Sequence, residues 1–251
     1  MVAAPLNGSA QSGVASYHMK EIPIPKLHAL VSSFYVNEEG HPFLPLNGGI
    51  YLPEDSLWFL PPTKENYFTS FAPVIEDTAL FVMSNTNDSS VVHYLKTSSG
   101  GSVKKIKVAA VKQGIYNLIY KNKICYIWGY EGKYSSIGIV GNGAVNWLFK
   151  MNGLIRQVQL NEASDLFFCA DSSIFKLNEK KLILKLNETI DGFCFTKSNN
   201  LLVSSTAGIG IVNQQELGLI ATGVTGKLQA AGNSIFLLAL QRNAIFRIEQ
   251  Y

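Results

Sequence analysis

Four histidines could hold a metal or carry a proton: His18, His28, His41 and His93. No two stand at the close spacing that puts two imidazoles on one ion, and the C-terminal half has none, so a histidine-based zinc site is not expected. Four carboxylates, Asp77, Asp165, Asp171 and Asp191, could share a divalent cation if the fold brought them to one axis. Asp77 and Asp165 occupy turn slots, where the side chain bonds its own backbone. The chain contains no Gly-x-Ser-x-Gly elbow, phosphate loop or dinucleotide fingerprint. Gly138-Ile139-Val140-Gly141-Asn142-Gly143 is glycine-rich, but an apolar run follows it, which reads as a hairpin turn. Cys125, Cys169 and Cys194 each lie inside an apolar run. An odd number without a Cys-x-x-Cys pair points to buried thiols rather than a disulfide framework. No catalytic residue, metal or cofactor is expected.

Aromatic residues offer binding chemistry instead. Residues 116–134 hold Tyr116, Tyr120, Tyr126, Trp128, Tyr130 and Tyr134. Tyr130 and Tyr134 fall beside Gly129 and Gly132 in an expected loop, where a tyrosine could meet a peptide or a sugar. The run Leu57-Trp58-Phe59-Leu60-Pro61-Pro62, with Tyr67-Phe68 after it, is too apolar to stay exposed without a partner or docking surface. Trp58, Phe59, Tyr67, Phe68, Tyr130 and Tyr134 are therefore the candidate binding surface. Glu38-Glu39 and Glu54-Asp55 read as solvated turn pairs. The clusters Lys104, Lys105, Lys107, Lys112 and Lys176, Lys180, Lys181, Lys185 mostly alternate with apolar residues, as on the solvent face of a strand. Asn7, Asn87 and Asn187 each start a glycosylation pattern that chance readily produces in an Asn/Ser-rich chain.

The elements that must carry these residues show themselves by repetition. Leu166, Leu201 and Ile235 each head an apolar run after a polar turn residue, 35 and 34 residues apart. A second run follows each: Ile174–Leu177, Ile209–Val212 and Ile245–Ile248. Leu80 and Ile124 extend the series backwards, and the extra spacing falls in Gly/Ser/Asn-rich loops. Helical periodicity is nearly absent, and the best helix candidate, Asn213–Gly218, is short and ends in Gly. Many short strands at a period of this size indicate an all-β fold, a β-propeller.

Residues Asn199 to Asn213, and the unit Ser164 to Asn178 with Ser173 in place of a Gly, resemble the repeat of sensor-regulator, NHL-like bacterial propellers. That resemblance implies a fold and carries no functional residue. No Trp-Asp dipeptide marks a WD40 repeat. Six blades are expected, with five as the alternative. Residues 22–70, interrupted by prolines 42, 45, 53, 61 and 62, would supply the irregular first blade. Some of the same N-terminal stretch, 22–70, would pair with Ile245–Ile248 to close the ring. Residues 1–20 read as a flexible tail and 21–251 as one domain.

Charged residues make up only 16% of the chain and the net charge is +3, so no nucleic-acid partner is assigned. No apolar run is long enough for a membrane span. The expected function is a non-enzymatic protein-binding or scaffold propeller, with a glycan as another possible ligand. Its polarity rests on Asn, Ser and Thr, which suggests a periplasmic or extracellular protein of a cell-envelope assembly; cytoplasmic is the alternative. The competing reading is a propeller hydrolase or lyase acting on a glycan or small molecule at the axis. It requires polar residues at equivalent positions of successive repeats.

Overall fold

A strand flanked by strands on both edges and covered on both faces must read as an unbroken apolar run. Leu166–Ala170 is buried at every residue, and Leu201–Ser205 at all but the first. The computed structural model explains why. It describes residues 17–250, apart from 25–32, 47, 63–67, 75–78, 87, 98–102, 214–215 and 243.

The first described strand is β1 (Tyr17–Pro23). Blade 1 follows with β2 (Tyr35–Val36), β3 (Pro42–Leu46), β4 (Gly49–Leu52) and β5 (Leu57–Leu60). Blade 2 holds β6 (Phe68–Val74), β7 (Ala79–Asn85), β8 (Ser89–Thr97) and β9 (Val103–Lys112). Blade 3 holds β10 (Ile115–Lys121), β11 (Ile124–Glu131), β12 (Tyr134–Val140) and β13 (Val145–Asn152). Blade 4 holds β14 (Ile155–Leu160), β15 (Leu166–Ala170), β16 (Ser173–Lys176) and β17 (Lys181–Lys185). Blade 5 holds β18 (Ile190–Phe195), β19 (Leu201–Ser205), β20 (Gly208–Asn213) and β21 (Glu216–Ala221). Blade 6 holds β22 (Lys227–Ala231), β23 (Ser234–Ala239) and β24 (Ala244–Gln250), and β1 completes it.

The protein is a six-bladed β-propeller of four-stranded sheets. The anchors Leu80, Ile124, Leu166, Leu201 and Ile235 all fall in the second strand of a blade, the most enclosed position. Apolar layers fill every gap between blades, such as Phe167, Leu184, Phe193 and Val203 between blades 4 and 5. Closure is antiparallel, from Tyr17 opposite Gln250 to Pro23 opposite Ala244. The closing strand thus begins at Tyr17, within the stretch read from sequence as tail.

Local geometry follows the residues. Asn122 and Lys123 both take positive φ (52° and 63°), the two-residue turn whose twist matches a hairpin. Of the glycine-rich run at 138–143, Gly138–Val140 are the last residues of β12 and the expected hairpin turn follows them: Gly141 N–H donates to the Ala144 carbonyl at 2.9 Å. Asn213–Gly218 is not helical; Asn213 pairs with Glu216 across the β20–β21 hairpin. Blade 1 is the irregular one. Its second strand, β3, carries Pro42 and Pro45, neither of which can donate to the ladder.

Candidate functional site

The first strands β2, β6, β10, β14, β18 and β22 stand around the axis and enclose a cavity of about 670 Å³. Their polar residues do converge there, and most are occupied with the fold itself. Irregularities in the pairing fall at Phe68/Ser70, Ile155/Gln157 and Ile190/Gly192, near the start of three of these strands, and such bulges re-aim side chains. Ser70 Oγ accepts from the Leu118 amide of the next blade at 3.1 Å, and Ser33 Oγ donates to it at 3.3 Å. Gln157 crosses two blades. Its Oε1 accepts from the amides of Phe193 (3.2 Å) and Leu228 (3.3 Å), while its Nε2 donates to the Leu228 carbonyl at 2.6 Å. Gln229 Oε1 accepts from Val36 N–H at 2.9 Å, tying blade 6 to blade 1. Gly192 makes room for the crossing: a Cβ there would sit 2.6 Å from Gln157 Oε1 and 2.5 Å from the Gly226 carbonyl oxygen.

Beside this lacing, Arg156 Nη1 donates to Asp191 Oδ1 at 3.1 Å, and Thr225 Oγ1 donates to Asp191 Oδ2. Ser204 Oγ joins Thr225 Oγ1 at 3.2 Å and accepts from Gly226 N–H at 3.0 Å. Asp191, one of the possible cation ligands, is thus paired with a guanidinium and a hydroxyl. Asp165 takes Lys176 Nζ at 3.0 Å, which holds its carboxyl below the ordinary range, together with Asn161. Asp171 is a turn residue with φ 50°, and Asp77 lies outside the described residues. No group of three or more His, Cys, Asp or Glu among the described residues could hold a metal ion.

Three lysines also line the channel wall. Lys121 Nζ donates to the Asn161 carbonyl at 2.6 Å; burial lowers its pKa, and Glu162 partly opposes this. Burial also pulls the Lys227 ammonium down to about 8. Lys197 is exposed at the same wall. Trp128 lines the cavity too, only 5% exposed, and its indole Nε1–H has no hydrogen-bond partner.

The aromatic residues singled out from sequence scatter over the molecule. Trp58 and Phe59 are exposed on β5, on opposite faces of the strand: Trp58 meets Tyr51 edge-on at 5.2 Å, and Phe59 meets Phe43 at 5.7 Å. Phe68 is buried in the core between blades 1 and 2, because it opens the inner strand β6; it is not a surface residue. Tyr67 lies outside the described residues. Tyr130 belongs to β11 rather than to a loop, since the turn is only Gly132-Lys133. Tyr134 starts β12, with Lys150 Nζ 4.5 Å and Lys133 Nζ 5.3 Å from its ring centroid. Of the histidines, His41 Nδ1 lies 3.0 Å from Glu54, His93 sits in β8 with Nδ1 buried and unpartnered, His18 lies in β1, and His28 is outside the described residues.

A second concavity lies between blades 1 and 2. It measures about 210 Å³ and is walled by Tyr35, Phe43, Ile50, Phe59, Phe71 and Leu80. Glu38 and Glu39 stand exposed on its rim. Burial, then the charges of Glu38 and Glu39, push the Tyr35 phenol up to about 12. The sequence singled out Phe59 but treated Glu38-Glu39 as merely solvated. The apolar wall comes from two blades, so no local run of sequence contains it.

No protein-family model and no curated protein sequence matches the chain. Solved structures match its fold. A gluconolactonase from Xanthomonas campestris superposes with a TM-score of 0.64 at 11% identity, over 94% of this chain and 90% of that one. A luciferin-regenerating enzyme gives 0.65 at 10% identity, over 93% and 95%. The extracellular domain of a hybrid two-component system from B. thetaiotaomicron gives 0.52 at 11% identity, over 95% of this chain but 40% of that one. Enzymes and a sensor domain thus share the architecture, and identities this low carry the fold alone.

Proposed function

We propose that the protein is a non-enzymatic binding propeller that takes an extended segment of a partner protein along β5. A bulky apolar side chain of the segment fills the groove between blades 1 and 2, and a neighbouring Lys or Arg meets Glu38 and Glu39. One observation carries the reading. The outer strands β1, β9, β13, β17 and β21 each carry a charged residue, the usual guard on a free sheet edge, whereas β5 reads Leu-Trp-Phe-Leu. Leu57 is 61% and Phe59 56% exposed on that strand. An unguarded edge offers main-chain hydrogen bonds to an added strand, and the adjoining groove supplies side-chain selectivity. The engagement of Gln157, Ser70, Gln229 and Asp191 in holding blades together supports a binding role over axial catalysis.

The test is selection of displayed random peptides on the intact protein. Peptides that pair a bulky apolar residue with Lys or Arg, and that lose binding to Phe59→Lys and Glu38→Lys/Glu39→Lys variants, are expected. Peptides without that pattern, or ones that bind these variants equally, would overturn the reading. The same proposal places the protein outside the cytoplasm, supported by its low charge and Asn/Ser/Thr-rich polarity. Recovery of the protein only in the cytosolic fraction of its source cells would refute that part.

A further inference from the structure

Charge is unevenly shared around the ring. From Ser89 to Asn152, the stretch spanning β8 to β13, the sequence holds nine lysines and one acidic residue, Glu131. The whole chain has 21 basic and 18 acidic residues, so the remainder carries an acidic excess. Glu131 is itself engaged by Lys112 at 2.5 Å. Lys104 and Lys107 on β9, Lys133 in the β11–β12 turn and Lys150 on β13 are all exposed. The field they make depends on their summed charge, so it does not require any one amine to be unpartnered.

The same rim carries large apolar side chains. Val103 and Ile106 on β9, and Trp147 and Leu148 on β13, are 42–46% exposed. The first five residues of β9, Val103–Lys107, are all exposed, so both faces of its start stand clear. Both strands are the fourth of their blades, and the β12–β13 turn leans on β9: Gly143 N–H donates to the Val108 carbonyl at 2.7 Å. Lysines alone would suit any polyanion. Aliphatic side chains and a tryptophan among them favour a bilayer, where amines on flexible stems meet headgroup phosphates while Trp and Leu enter the boundary with the acyl chains.

We propose that the outer rim of blades 2 and 3 docks on an anionic lipid surface, with Lys104, Lys107, Lys133 and Lys150 against the headgroups and Trp147 and Leu148 inserted between them. The contact is peripheral and uses no residue of β5 or of the blade 1 groove.

Co-sedimentation of the intact protein with large vesicles tests this. Vesicles of phosphatidylcholine with about a third phosphatidylglycerol should bind about tenfold or more tighter than phosphatidylcholine alone, and added salt should weaken the binding. Lys104→Gln/Lys107→Gln should cost about tenfold, since each lysine at such a surface is worth several-fold. Leu148→Ser, at an exposed position that should not disturb folding, should cost several-fold. Lys181→Gln/Lys185→Gln removes the same charge from the outer strand of blade 4 and should change binding by less than about twofold. No vesicle binding, equal binding to neutral and anionic vesicles, or an equal loss in the blade 4 variant would overturn the proposal. Lysine-dependent binding that ignores Leu148→Ser would mark a soluble polyanion as the partner and overturn the lipid assignment.

Discussion

Gln157 does the work of three contacts because a propeller's first strands leave backbone groups facing the axis with no strand beyond them. Replacing it with Leu, similar in size, strands the amides of Phe193 and Leu228. Each buried orphan costs about 1–3 kcal/mol, so thermal denaturation should show a midpoint roughly 5–15 °C lower. Gly192→Ala should destabilise comparably, since its methyl group would meet Gln157 Oε1 at 2.6 Å and backbone on the other side. A midpoint within a degree of wild type in both variants would show the lacing to be dispensable. His93 gives a pH signature. Burial, aided by Lys105 and Lys107, lowers its pKa to about 4 from the usual 6.5. The unfolded chain therefore takes up a proton first, and stability contributed by neutral His93 is present above pH 6.5 and lost as pH falls towards 4. Urea midpoints should fall over that window, less steeply in His93→Gln; parallel curves would contradict this. Burial also pushes the thiols of Cys169 and Cys194 up to about 12, and Cys125 higher, so a thiol reagent at neutral pH should label none until unfolding.

Strands differ in how plainly they declare themselves. The second strand of a blade is covered on all sides, and Leu166-Phe167-Phe168-Cys169-Ala170 announces it. The fourth strand faces solvent and mixes types: Val145–Asn152 is mostly exposed yet holds Trp147 and Leu148. That is why the repeat was legible at its anchors and blurred between them. Closure was legible only from the need to cover the edge of β24. The strand that covers it starts at Tyr17, where Tyr-His-Met-Lys-Glu-Ile alternates weakly. Its Ile22 is nevertheless 5% exposed, in the layer with Val36, Phe236 and Ile245. Removing residues 1–23 should strip this cover and bare an apolar edge. The expected result is a melting midpoint lower by roughly 10 °C or more, or association visible by light scattering. A truncated protein as stable and monodisperse as the whole would show that β1 adds nothing.

Among the described residues, side-chain joints between blades concentrate in blades 4, 5 and 6, away from the candidate groove. Blades 4, 5 and 6 share Gln157, the Arg156–Asp191–Thr225 chain and Ser204, joints assembled from residues as many as 71 positions apart. Such joints have no sequence signature: a Gln in a strand looks like any polar residue until its partners are placed. Blade 1 has a two-residue first strand, two prolines in its second and an exposed fourth. The sequence marked this blade as irregular, and that much of the site was legible. The acidic rim was not, because Glu38 and Glu39 acquire meaning only beside Phe71 and Leu80 of the next blade. A two-residue first strand, prolines that cannot donate to the ladder and an exposed fourth strand mean a low cost of local opening. Native-state hydrogen exchange should therefore find β3–β5 opening at markedly lower free energy than β15, β19 and β23. A peptide that adds a strand to β5 should slow exchange in blade 1 while leaving β15 and β19 unchanged, because only the local opening is linked to binding. Uniform protection around the ring would mean that blade 1 is as firmly held as its neighbours. Peptide-induced protection spread evenly over all blades would place the binding surface elsewhere than β5.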